Sequence, residues 1–153
     1  MAFPALDFNI ADKSDTPSAL GFQGVQDVYK AHSISTGMLA SGIVTALFWM
    51  PAYTRYVGLY VNSDDLDTGA AALAIDIGIA GVSDTTYDDV DALLDGSTVG
   101  QAGTGGGQTI LQAAAGLTVP VDHYVTFTAA TAAATAAAGT FRIGIQCVLG
   151  AQS

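Results

Sequence analysis

The chain has 153 residues, enough for one domain with a real core, and carries a formal net charge of −10. Half of its residues are hydrophobic and only 12% are charged, about half the usual share of roughly 25%. Its surface must therefore rest on Thr, Ser, Gln, Asn and Gly, or be covered by other subunits. Lys13, Lys30, Arg55 and Arg142 are the only bases, too few to neutralise a run of phosphates, which argues against nucleic acid and anionic membranes as partners.

All fourteen acids are Asp, which favours caps and turns, whereas the absent Glu favours helix interiors. With 18 Gly, this composition points to strands joined by turns. Residues 1–27 are irregular, punctuated by Pro4, Pro17, Gly21 and Gly24. Phe3, Leu6, Phe8, Ile10, Leu20 and Phe22 in that stretch are costly to expose. An extended arm that docks on its own domain or on a neighbour is expected, followed by one sandwich domain over 28–153. No basic segment followed by an apolar one opens the chain, so no signal peptide is expected.

Residues 28–35 (VYKAHSIS) read as a first strand, with His32 as a surface or hydrogen-bonded residue, and 37–42 as a turn. Residues 43–50 (IVTALFWM) are apolar on both faces, which marks a strand covered on both sides. Strict alternation places Leu47 and Trp49 toward the core and Phe48 and Met50 toward a covering partner. Phe48 and Met50, with Phe3 and Phe8 of the arm, are thus the candidate interface residues. The next strand, 54–62, sets Arg55, Val57, Leu59 and Val61 against Tyr56, Gly58 and Tyr60. An acidic turn, NSDDLDTG, leads to a strand over 71–80 with Leu73, Ile75, Ile77 and Ile79 on one face and small residues on the other.

Residues 84–94 carry the one helical signature. Thr85 or Thr86 can cap it, Asp88, Asp89 and Asp91 suit its first turns, Val90, Leu93 and Leu94 form a stripe, and Gly96 can stop it. Residues 101–108 (QAGTGGGQ) form a loop, and 109–113 and 117–121 are weaker strands, with Pro120 suggesting an edge. In the final stretch, DHYVTFTAATAAATAAAGTFRIGIQCVL, two alternating arms flank an Ala/Thr tract. The expectation is a long antiparallel pair, with the tract as strand ends plus a loop. Cys147, the single cysteine, falls on the apolar face of the second arm, as a buried inert thiol would.

Catalytic chemistry finds little purchase. Gly103–Gly107 lacks the Lys-Ser/Thr of a phosphate loop, and Gly96-Ser97 lacks the second glycine of a serine-hydrolase elbow. Two isolated histidines and one core cysteine do not make a zinc site. Asp64, Asp65 and Asp67 could hold a hard cation or act as paired carboxylates, but their spacing fits no EF-hand loop, and a solvated acidic turn is the simpler reading. No catalytic, cofactor or metal residue is assigned.

Three blocks carry a resemblance: YVGLYVNSDDLDTGAAALAIDIGIAG, YDDVDALLDGSTVGQAG and VTFTAATAAATAAAGTFRIGIQCVL. Over roughly residues 43–149 the chain resembles small structural proteins of tailed bacteriophages, encoded among the head genes. The resemblance implies a non-enzymatic protein made in the host cytoplasm and carried in the virion. There it would decorate or cement the major capsid lattice, or belong to a head fibre or connector. Together with the strand pattern, it leads to an all-β expectation: an antiparallel β-sandwich of about eight strands with jelly-roll topology and one short helix. A homo-oligomer is expected, a trimer first. The rival reading is a tail or fibre module that grips host carbohydrate through Tyr53, Tyr56 and Tyr60; a glycan hydrolase is a distant third.

Overall fold

A computed structural model describes residues 24–101 and 115–149, and the backbone of 108–109. Among the described residues, nine strands form two antiparallel sheets. They are β1 (Gln26–Ile34), β2 (Val44–Met50), β3 (Thr54–Ser63), β4 (Ala74–Gly81), β5 (Asp89–Ser97), β6 (Gln108–Thr109), β7 (Thr118–Val119), β8 (His123–Thr131) and β9 (Gly139–Val148). The first sheet runs β1-β9-β3-β6, with β7 also pairing β3; the second runs β2-β8-β4-β5. The chain winds from sheet to sheet through β1 to β4, crosses back after β5, and lays β8 and β9 between earlier strands. This is the double Greek key of a jelly roll.

The last two strands are therefore not partners of each other. β8 lies between β2 and β4, and β9 between β1 and β3. The alternation of Val125, Phe127 and Ala129, and of Phe141, Ile143, Ile145 and Cys147, correctly marks two buried faces, but it cannot say which neighbours hydrogen-bond. The two faces meet across the core, where the rings of Phe127 and Phe141 pack edge to face at 5.1 Å. The Ala/Thr tract divides as expected, with β8 running to Thr131 and an irregular crossing over 132–138.

No α-helix forms over 84–94. The Asp84 carboxylate does accept from the Thr86 N–H, but the helical segment it caps is a single 3-10 turn, Thr85–Tyr87. Asp88 then accepts from the Gly81 N–H, and the chain from Asp89 onward pairs with β4. Several Asp prefer such local bonds to a helix interior. Gly78 on β4 makes room for the crossing, since a Cβ there would collide with the backbone of Asp89 and Val90. Gly96 takes φ +63, a left-handed conformation that suits glycine.

Two bulges decide which side chains enter the core. In β2, Thr45 pairs Phe127 and Ala46 pairs Thr126, but the next pair is Phe48 with Val125. Leu47 is the extra residue, and from there on the parity of the strand is reversed. Phe48 and Met50 thus lie in the core, at 2% and 0% exposure, and Phe48 stacks on the buried ring of His32 across the sheets. Trp49 pairs Tyr124 on the outward side. The expected assignment of Phe48 and Met50 to an outer interface is overturned by that one extra residue. Leu47 itself belongs to the core, as expected.

In β3 the extra residue is Val57, between the pairs Tyr56–Cys147 and Gly58–Gln146. Tyr56, Leu59 and Val61 turn inward, while Gly58 and Tyr60 turn outward and Val57 is exposed. Tyr56 lies fully buried opposite His123 of β8. The His123 Nδ1–H donates to the Val121 carbonyl (2.7 Å), so its Nε2 accepts from the Tyr56 hydroxyl (2.6 Å). This bond ties one sheet to the other. Burial above all holds the His123 imidazole down to about 4, with only partial opposition from Val121 and Asp122, and burial pushes the Tyr56 phenol well up.

The sign of the pH dependence follows. Between pH 6.5 and about 4 the unfolded chain takes up a proton on His123 that the native core refuses, so stability falls as pH falls through this window. The full effect is on the order of 3 kcal/mol, and it is complete before the ordinary carboxylate range is passed. Urea unfolding at pH 7 and pH 4.5 should show that loss, and His123→Gln should flatten the slope. An equal slope in the variant would remove His123 from the account.

Candidate interaction surfaces

The acidic turn is a structural knot. Asp67 is fully buried, and its carboxylate accepts from the backbone N–H groups of Ala72 (2.9 Å), Leu73 (3.0 Å) and Thr135 (2.9 Å). Those backbone bonds hold its carboxyl far below the ordinary carboxylate range. They tie the β3–β4 connection to the Ala/Thr crossing, and Asp67 also bridges Gln101 and Ala136. Asp64 points elsewhere. It accepts from the Thr140 N–H at 2.8 Å and pairs with Arg142 at 3.0 Å, and both contacts lower its carboxyl. Asp65 accepts from the Asp67 N–H. The three carboxylates thus serve three different sets of partners. Among the described residues, no group of three or more His, Cys, Asp or Glu could hold a metal ion.

Cys147 is buried, and burial pushes its thiol up to about 11, which keeps it protonated and unreactive. Phe3 and Phe8 lie outside the described residues. Of the tyrosines proposed to stack on sugar, Tyr56 is in the core, while Tyr53 and Tyr60 are exposed. Tyr53 sits in the β2–β3 turn with φ 61, a conformation rare for a bulky side chain.

Two outward faces remain. On the second sheet, Val44, Ala46 and Thr126 share the outward side with Trp49, and all are buried. On the first sheet, registered pairs place Tyr29, Gly144 and Tyr60 in one outward row and Asp27, Gln146 and Gly58 in the next. These two rows line an open groove of about 540 Å³. Alternation along β1 and β9 was enough to turn Tyr29 and Gly144 outward. It could not bring Tyr60 beside them, because that depends on the bulge at Val57.

Comparison with solved structures gives the surfaces a setting. The chain matches a chain in the capsid of Ralstonia phage GP4, with 25% identity and a TM-score of 0.71, over 97% of its own length and 100% of that chain. It is similar to phage capsid proteins. A chain of the cyanophage Pam1 capsid asymmetric unit matches at 24% identity and TM-score 0.66, over 92% of this chain and 98% of that one. A chain of the acid-stable capsid of Helicobacter pylori bacteriophage KHP30 matches at 14% and 0.52, covering 84% and 95%. No family model and no curated protein matches. The resemblance to phage virion proteins thus has structural neighbours behind it, and they share the jelly-roll architecture described above.

The Asp67 knot yields a paired prediction. Asp67→Ala strands three N–H groups, two of them on the backbone of the β3–β4 connection, and should lower the melting temperature well below that of Asp65→Ala. Chelator should leave the wild-type melting temperature unchanged, since the carboxylate oxygens already have donors. Scanning calorimetry with and without EDTA checks both; a large fall with chelator would mean that a cation holds this turn.

Proposed function

We propose that this protein is a non-enzymatic phage virion protein that decorates or cements the major capsid lattice as a homo-oligomer. The observation that carries the proposal is the coverage of the match: 97% of this chain against 100% of the GP4 capsid chain. The similarity runs along nearly all of the sequence described here and all of that capsid chain. A small sandwich of this kind is suited to sitting on a lattice built by another protein. The composition supports the same reading. A chain with 12% charged residues has little surface that must stay in water, and identical copies generate symmetric contacts at small cost in sequence.

The proposed partners are the major capsid lattice and further copies of the chain, with a trimer as the first expectation, and neither nucleic acid nor membrane. Among the described residues no helix is long and apolar enough to cross a membrane. With Phe48 and Met50 in the core, the residues ahead of β1 become the leading oligomer contact, and Phe3 and Phe8 its anchors. Buried aromatic anchors carry a disproportionate share of binding energy at interfaces.

Mass spectrometry of purified virions tests the proposal. Decoration predicts hundreds of copies per particle and a trimeric mass for the isolated protein in light scattering. A handful of copies per particle would contradict decoration and favour a tail or fibre module.

A further inference from the structure

The groove on the outward face of the first sheet has a composition that folding alone does not explain. Gly144 lies in the middle of β9, yet its backbone is ordinary strand, and the atoms nearest an added Cβ would be Tyr29 Cδ2 at 3.7 Å and the Tyr60 Cβ and carbonyl oxygen, both at 3.9 Å. Those are normal contacts, so alanine would fit. Glycine weakens a strand interior and often marks a place where something approaches the backbone closely. Gly58 of β3 differs, since a Cβ there would come within 2.8 Å of Gln146 Oε1 and the amide end of that side chain would have to move aside.

Two tyrosines rise on either side of this glycine floor. Tyr29 is 60% exposed and Tyr60 49% exposed, although each presents a large apolar ring. The adjoining row supplies a carboxylate, Asp27, and an amide, Gln146, both exposed. Tyrosine faces beside planar hydrogen-bonding groups match a ligand that has C–H faces and hydroxyls on one small ring. The volume of about 540 Å³ lies within the roughly 300–1,000 Å³ typical of small-ligand sites. The charge balance selects further: Asp27 at the groove and a net charge of −10 oppose an anionic ligand.

We propose that the Tyr29–Gly144–Tyr60 groove is a binding site for a neutral saccharide. One pyranose ring stacks on the tyrosines over Gly144, and its hydroxyls bond to Asp27 and Gln146. The site is independent of the capsid role, because it needs only the folded chain.

The test uses the full-length protein and saturation-transfer NMR, with dissociation constants from calorimetry. The probes are a panel of neutral oligosaccharides of glucose, galactose, mannose and N-acetylglucosamine, with a sialylated lactose as the anionic control. At least one neutral member should bind and the anionic control should not. Tyr29→Ala and Tyr60→Ala should each weaken binding at least tenfold, while Tyr53→Ala and Tyr87→Ala leave it unchanged. Gly144→Ala should weaken it with an unaltered melting temperature, and Gly144→Val should abolish it. Binding by no panel member, or full binding by Gly144→Val, would overturn the proposal. So would a change of oligomeric mass in Tyr29→Ala or Gly144→Ala without sugar binding by the wild type, which would make the groove a protein contact.

Discussion

The two sheets can share a core only if every strand turns its apolar side chains to the same interior, and in β2 and β3 this depends on a single extra residue each. Without the bulge at Leu47, the inward set of β2 after Thr45 would be Leu47 and Trp49. With it, the set becomes Phe48 and Met50, which fill the space between the sheets. Without the bulge at Val57, Tyr56 and Leu59 could not both point inward. Period-two geometry allows no gradual adjustment, so a bulge is the way a strand changes faces. The inter-sheet bond from Tyr56 to His123, the stacking of Phe48 on His32 and the exposure of Tyr60 all follow.

This also accounts for what could be read from the residues beforehand. The all-β character, the jelly-roll expectation, strands β1 to β4 and β7 to β9, and the inward faces of β4, β8 and β9 were legible, because the alternation of these three runs without interruption. The doubly apolar character of β2 was legible too, and all seven of its residues are buried. Its facing was not. Leu47 is apolar whichever way it turns, so nothing in IVTALFWM betrays the insertion. The same holds for Val57 in YVGLY. The pairing of β8 and β9 failed for another reason, since hydrophobic alternation reports a face and never a neighbour. The helix over 84–94 failed because its Asp residues have better partners in the turn and in the Gly81 N–H than a helix would offer.

The fold also separates structural polar groups from those that face outward. Asp67 spends its oxygens on backbone donors, and the His123–Tyr56 pair is sealed between the sheets. Such groups look like candidate chemistry in a sequence, because Asp, His and Tyr are the residues catalysis uses. Their burial and saturated hydrogen bonding assign them to holding the sandwich together. Among the described residues, those that face out include the exposed tyrosines Tyr29, Tyr53, Tyr60 and Tyr87.

The reversal of parity at Val57 puts two tyrosines four residues apart, Tyr56 and Tyr60, on opposite sides of the same strand. Residue-resolved tyrosine iodination of the native protein, mapped by mass spectrometry, reads this directly. The account predicts that Tyr53 and Tyr60 are labelled while Tyr56 stays unmodified until the protein is unfolded. Labelling of Tyr56 at the rate of Tyr60 in the native state would contradict it.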